Sequence, residues 1–190
     1  MISGSAMINR HIEALKALKG KSVEAGWFES AQYPSEEGKP ARSVAANARF
    51  QEFGGTIDHP GGTKYITDAA TSERMLGTRF VKNSFQGEHK VTQAHQIVVP
   101  ARPFMRLAWS TFNANRGPIQ KRIAAALISG KITPDQALGQ IGLELEACIV
   151  KSIRNGNWAP NARSTVSAKG FDKPLIETSF MWQSVSSKVF

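Results

Sequence analysis

Cysteine is almost absent from this chain. The one present, Cys148, excludes an intrachain disulfide and fits a reducing compartment. No apolar run approaches membrane-spanning length, so no membrane partner is expected. The opening MISGSAMINR lacks the apolar region of a signal peptide. Use in a cytoplasm, or in an assembly built there, is the expectation. Acids are scarce: 15 Asp and Glu stand against 24 Lys and Arg, a net charge of +9. That excess favours an acidic partner, either nucleic acid or an acidic protein surface. The basic residues are scattered, however, with no block of five or six like charges. Repeats and low-complexity tracts are absent too.

The residues that carry chemistry are equally thin. Of the four histidines, His89 and His95 are six positions apart with no cysteine near them, which matches no zinc pattern. Gly20-Lys21-Ser22 hints at a phosphate loop, but Leu15 occupies the place of that motif's first glycine and a helix pattern precedes it. Neither a G-x-S-x-G elbow nor a dinucleotide fingerprint occurs. Cys148 falls on the apolar face of a helix pattern, where a thiol acts as a small hydrophobe. Glu24 is the one carboxylate within a strand pattern, and its expected place is the solvent face. No catalytic residue, cofactor or metal is therefore expected.

What the chain does have is a corner. Alternation from Val91 to Val99 predicts a strand, and the helical period dominates after Phe104. Between them runs Pro100-Ala101-Arg102-Pro103-Phe104-Met105-Arg106. Pro100 cannot donate to a ladder and closes the strand. Pro103 has the fixed φ that suits a first helical turn. Arg102 and Arg106 then bracket an apolar Phe104-Met105 anchor that is expected to be buried.

Upstream, Met7 to Leu18 reads as a helix with Ile8, Ile12, Leu15 and Leu18 on one face. Ser22 to Phe28 alternates as a strand. Ser43 is placed to cap a helix from Val44 to Phe53, stopped by Gly54-Gly55. Residues 56–90 form an inserted excursion, a hairpin-like pair of strands at Lys64–Thr67 and Arg79–Lys82 with a mobile tip. Downstream, one helix runs from Phe104 to about Phe112, and Gly117-Pro118 starts a second. Thr133-Pro134-Asp135-Gln136 predicts a capping box opening a third. Residues 155–174 lack apolar period and read as a long loop to be ordered by a partner. Lys151, Arg154, Arg163, Lys169 and Lys173 give this region five cations against Asp172, expected to face an acidic surface or passing DNA. Thr178 is placed to cap a short helix through Trp182, and Val185 to Phe190 alternates as a terminal strand. With 190 residues, the chain suits one domain over 1–190. The expected class is α+β: a small, mostly antiparallel sheet packed against helices, with a long insertion and a long C-terminal loop.

Two stretches resemble the neck and tail-completion proteins of long-tailed bacteriophages: Ile97 to Arg106 (IVVPARPFMR) and Pro160 to Thr178 (PNARSTVSAKGFDKPLIET). In that family a strand ending I-P-A-R-P-F-M-R feeds a long helix, and P-N-A-P-S-T-…-K-G-S-D-K-P-L-I-D-T-G precedes the last strands. Val23 to Ser30 (VEAGWFES), Ala45 to Gly54 and the turn His59 to Tyr65 match in the same order. The chain departs at Arg163, where the family has proline, and at Glu177-Thr178-Ser179, where it has Asp-Thr-Gly. The resemblance implies a structural, non-enzymatic virion protein at the head–tail junction, present in host cytoplasm during assembly. It implies a homo-oligomeric ring of six copies, contacting the head connector and neck proteins on one side and tail tube or terminator proteins on the other. The insertion would reach a neighbouring subunit or ring. A tail terminator ring is the alternative within that class, and a basic DNA-binding module the alternative outside it.

Overall fold

The computed structural model describes residues 4–35, 40–67 and 78–190. Helix α1 spans Gly4–Leu18 and strand β1 spans Val23–Gly26. Helix α2, Val44–Phe53, begins at Ser43, whose Oγ accepts from the Ala46 N–H at 3.2 Å. Strand β2, Gly55–His59, follows at once. Three short strands come next: β3 (Lys64–Thr67), β4 (Thr78–Phe80) and β5 (Lys90–Val91). Strand β6, His95–Val99, leads into α3, Phe104–Ile128. Helix α4, Pro134–Asn155, opens on the full capping box of Thr133 and Gln136. Short helices α5 (Arg163–Lys169) and α6 (Phe180–Gln183) and strand β7 (Ser186–Val189) complete the chain.

The class is α+β. Among the described residues all strand pairs are antiparallel, but they form three small sheets rather than one: β1 with β7, β2 with β6, and β4-β3-β5. Long helices α3 and α4 pack on each other, and α4 lies across β1 and β7. The close approach is made at Gly142, where a Cβ would press into the Ser187 side chain and meet Val23 Cγ2 at 3.2 Å. The core joins Val44 and Ala48 of α2, Phe104 and Ala108 of α3, Ile149 and Ile153 of α4, and Met181 of α6. Trp27 closes one side. Its ring meets Phe104 edge-on with centroids 5.8 Å apart, and its Nε1–H donates to the Met181 carbonyl at 2.7 Å.

Several elements differ from the sequence expectation. The strand read from Val91 to Val99 is broken, because the 61–63 turn takes Thr92. Gly62 N–H donates to Thr92 O at 2.8 Å and Thr92 N–H to Thr63 O at 3.0 Å. The chain then bends at Gln93-Ala94 before β6 begins. Gly55, read as a helix stop, instead starts β2. The excursion has its first strand at 64–67 as expected, but its second runs over 78–80 rather than 79–82; of the expected mobile tip at 68–78, all but Thr78 lies outside the described residues. Residues 155–174 are not a continuous loop but contain α5. Helix α6 is entered through Ser179 at φ 64, with no side-chain cap, rather than capped by Thr178.

Helix α1 begins three residues before Met7 and turns its apolar stripe outward: Ile8, Ile12 and Leu15 are 60%, 43% and 66% exposed. It leans on the body through the adjoining flank, where the His11 ring meets the Ile128 carbonyl at 3.1 Å. Helix α3 does not restart at Gly117-Pro118 but runs through it. A proline there removes the bond to Ala114 O and crowds that carbonyl. Pro118 is exposed, so Pro118→Ala removes no packing. That substitution is expected to raise stability by about 1–3 kcal/mol. A urea midpoint that falls would count against this.

Candidate functional site

The corner is built around two buried charges of opposite sign. Pro103 sits at the N-cap of α3, one residue before the helical turn it was expected to begin. Leu107 N–H donates to Pro103 O at 3.1 Å, which leaves the N–H groups of Met105 and Arg106 without helical partners. Glu52, at the end of α2, takes both. Its Oε2 accepts from Met105 N–H at 2.7 Å and its Oε1 from Arg106 N–H at 3.3 Å. The Arg106 Nε–H donates to Oε1 at 3.0 Å. A carboxylate here also complements the positive end of the α3 dipole.

The two arginines differ in kind. Arg106 remains 65% exposed and lies over the Phe53 ring at 5.7 Å. Arg102 is only 5% exposed. It donates through Nε to Ala159 O at 3.0 Å, through Nη1 to Gln51 Oε1 at 2.5 Å and through Nη2 to Pro160 O at 3.3 Å. Its own N–H bonds Gln51 O at 2.8 Å. Arg102 thus ties the chain after α4 to α2 and to the start of α3. Burial pushes its guanidinium below the usual value, and Asp172 offsets part of that. Phe104 between the arginines is fully buried, whereas Met105 is half-buried.

The five cations expected to face an acidic surface or passing DNA are carried by α4, by α5 and by the chain just after α5. Lys151 is exposed on α4. Arg154, on the last turn of α4, lies over the Trp182 ring at 4.9 Å. Arg163 is the exposed first residue of α5. Lys169 and Lys173 do meet, through a Lys169 Nζ bond to Lys173 O at 2.8 Å. Lys169 also lies over the Phe171 ring at 4.9 Å. Burial pushes its ammonium pKa down, with Glu177 opposing, Arg102 adding to the fall and Asp172 opposing.

Two concavities adjoin the corner. A cleft of about 690 Å³ is lined by Tyr33, Arg42, Arg102, Lys169 and Glu177, among others. At its rim, the Arg42 guanidinium lies 5.5 Å from the Tyr33 ring, and the Tyr33 hydroxyl accepts from Asn47 Nδ2 at 2.7 Å. A more apolar groove of about 470 Å³ lies on the other side of Glu52, bounded by β1, Ala48, Phe53 and Met105. Ser22 and Phe190 exchange both backbone bonds at 2.9 Å. Alternation of the ladder then turns the N–H and C=O of Val23 and Ala25 away from β7, to the strand's outer edge.

Glu52, Gln51, Tyr33 and Arg42 escaped the sequence reading. One signal did exist for Glu52: an acid in the last turn of a helix opposes the local dipole and needs another partner. Among the described residues, no group of three His, Cys, Asp or Glu is placed to hold a metal ion. Nor, among them, is any helix long and apolar enough to cross a membrane. Comparison with family models, curated proteins and solved structures gave no match.

Proposed function

We propose that this chain is a subunit of a homo-oligomeric ring that completes a phage tail and joins it to the head connector. Uncovered apolar surface in three separate places carries this reading. On α1 it is the stripe of Ile8, Ile12 and Leu15. On the β2–β6 ribbon, Ile57 faces Ile97, and both are exposed, as is Val98 at 73%. On α3 it is Leu107 and Trp109. A two-stranded ribbon is marginal in water by itself, and apolar patches of this kind mark protein contacts. The outer edge of β1 adds unpaired backbone groups beside an apolar groove, a surface that strands of neighbours can extend.

Two departures from the phage motif fall where its residues make physical sense. Ser179 holds a left-handed φ of 64 in the place of the family's glycine. Arg163 is the first residue of α5, in the place of the family's proline and at the position proline favours. The net charge of +9, dispersed over separate stations, suits a wall beside DNA better than a binding groove.

The test is electron microscopy of particles assembled without this protein. Filled heads and separate tails of normal length are expected. Overlong tails would point to a terminator ring instead. Tight duplex binding by the isolated chain, falling steeply with salt, would favour the DNA-binding module.

A further inference from the structure

We infer that the cleft beside Arg102 receives the carboxylate of an acidic side chain from another protein chain. The inference presumes a protein partner, but the partner need not be a phage protein. A buried guanidinium is ordinarily matched by a carboxylate. Among the described residues, Arg102 is matched only by neutral oxygens: Ala159 O, Pro160 O and Gln51 Oε1. Those three bonds leave two of its five N–H groups for another acceptor. Asp172, the acid whose field reaches Arg102, is already held by Asn161 through N–H at 3.1 Å and Nδ2 at 2.9 Å.

Lys169 shares the cleft and also bonds a neutral oxygen, Lys173 O. Arg102 and Lys169 repel each other, and each is driven toward its neutral form by burial. Arg42 adds a third cation at the rim, while Glu177 is the one acid among the described lining residues. An incoming carboxylate relieves both the desolvation and the repulsion, and a guanidinium can hold it through two parallel bonds.

The shape selects a side chain over a duplex. Arg102 is recessed to 5% exposure, where a phosphate fixed on a rigid double helix cannot follow. The walls include Leu175, Phe180 and Met181, which suit the methylenes of a glutamate. About 690 Å³ accommodates several side chains.

The experiment titrates the full-length protein with the peptide acetyl-Gly-Glu-Glu-Gly-amide and follows the Arg102 Nε–Hε signal by NMR. Its glutamine counterpart, inorganic phosphate and duplex DNA are titrated in parallel. The glutamate peptide is expected to shift the Arg102 signal and to bind at least about tenfold more tightly than the glutamine peptide, a difference of about 1.4 kcal/mol. Lys169→Gln, a substitution at a half-buried position, is expected to keep the melting temperature and weaken the glutamate peptide by a similar factor. Equal binding of the two peptides, or no shift into the millimolar range, overturns the inference. So does stronger displacement of the same signal by duplex DNA or phosphate. Binding that emerges only in a Glu36→Gln, Glu37→Gln variant overturns it as well, since the chain's own acids would then be the occupants. The ring reading is tested on particles and stands apart from this titration.

Discussion

Phe104→Ala is expected to destabilise the protein by about 3–5 kcal/mol, the range for deleting a buried aromatic ring. At about 2–4 °C per kcal/mol for a chain of this size, the melting temperature should fall by roughly 6–20 °C. The ring is fully buried and meets Trp27 edge-on. Its neighbours Val44, Ile153 and Met181 belong to α2, α4 and α6. Three helices and the segment that carries Trp27 would have to move inward to fill the cavity, so collapse is limited and the cost stays high. The Phe104 carbonyl is also held, by Ser152 Oγ–H at 2.7 Å, and this bond persists in the variant. The loss should therefore be one of packing, and Phe104→Leu should recover much of it. A midpoint unchanged in Phe104→Ala would mean that the corner is not anchored by this ring.

What was legible in the sequence was decided within a few residues. Ser43 and the Thr133–Gln136 box cap their helices through bonds that span three positions. Their chemistry is local and the motif contains all of it. Distant partners were not legible. Glu52 meets Met105 across 53 positions, and the pairing that explains an acid at the end of α2 is invisible from α2 alone. The corner showed two arginines in similar settings, and only the fold divides them into a buried tie and an exposed partner of Glu52.

Periodicity also failed in specific ways. Both halves of Val91 to Val99 alternate, so the pattern persists across a bend that Thr63 and Gly62 impose on Thr92 from outside. Helix α5 has seven residues and no capping side chain at Ala162. Such a helix forms through its surroundings rather than its propensity. Gly117-Pro118 reads as a boundary, but α3 packs along α4 and continues past it. In α1 the apolar stripe is where the period places it, yet the body packs on the adjoining flank, at His11 and Leu18, and leaves Ile8, Ile12 and Leu15 exposed. A pattern reveals that a face wants cover, not what covers it. Likewise the cleft combines Lys169 with Arg42 and Arg102 from elsewhere in the chain, a grouping that the segment alone does not reveal.

The last expected result concerns a glycine that holds the corner closed. Gly54 ends α2, donating to Phe50 O at 2.8 Å, with φ 69 and ψ −176. That region of backbone space is essentially reserved for glycine. A Cβ on Gly54 would lie 2.6 Å from Ala101 N and 2.7 Å from Val99 O. Both are backbone atoms of the turn between β6 and α3, so neither can swing aside like a side chain. Alanine must therefore push α2 away from the corner. Gln51 and Glu52, just before Gly54, hold Arg102 and the α3 N-terminus, and their bonds would stretch together. Strain of about 1–3 kcal/mol and overpacking of about 1–3 kcal/mol combine to an expected loss of roughly 2–6 kcal/mol in urea unfolding. Gly170→Ala supplies the comparison. Gly170 is also left-handed, at φ 78, but has nothing within 4 Å of its would-be Cβ. There only the conformational cost of about 1–2 kcal/mol should appear. If Gly54→Ala proves no worse than Gly170→Ala, the close approach of α2 to the corner is not what fixes Arg102 and Glu52 in place.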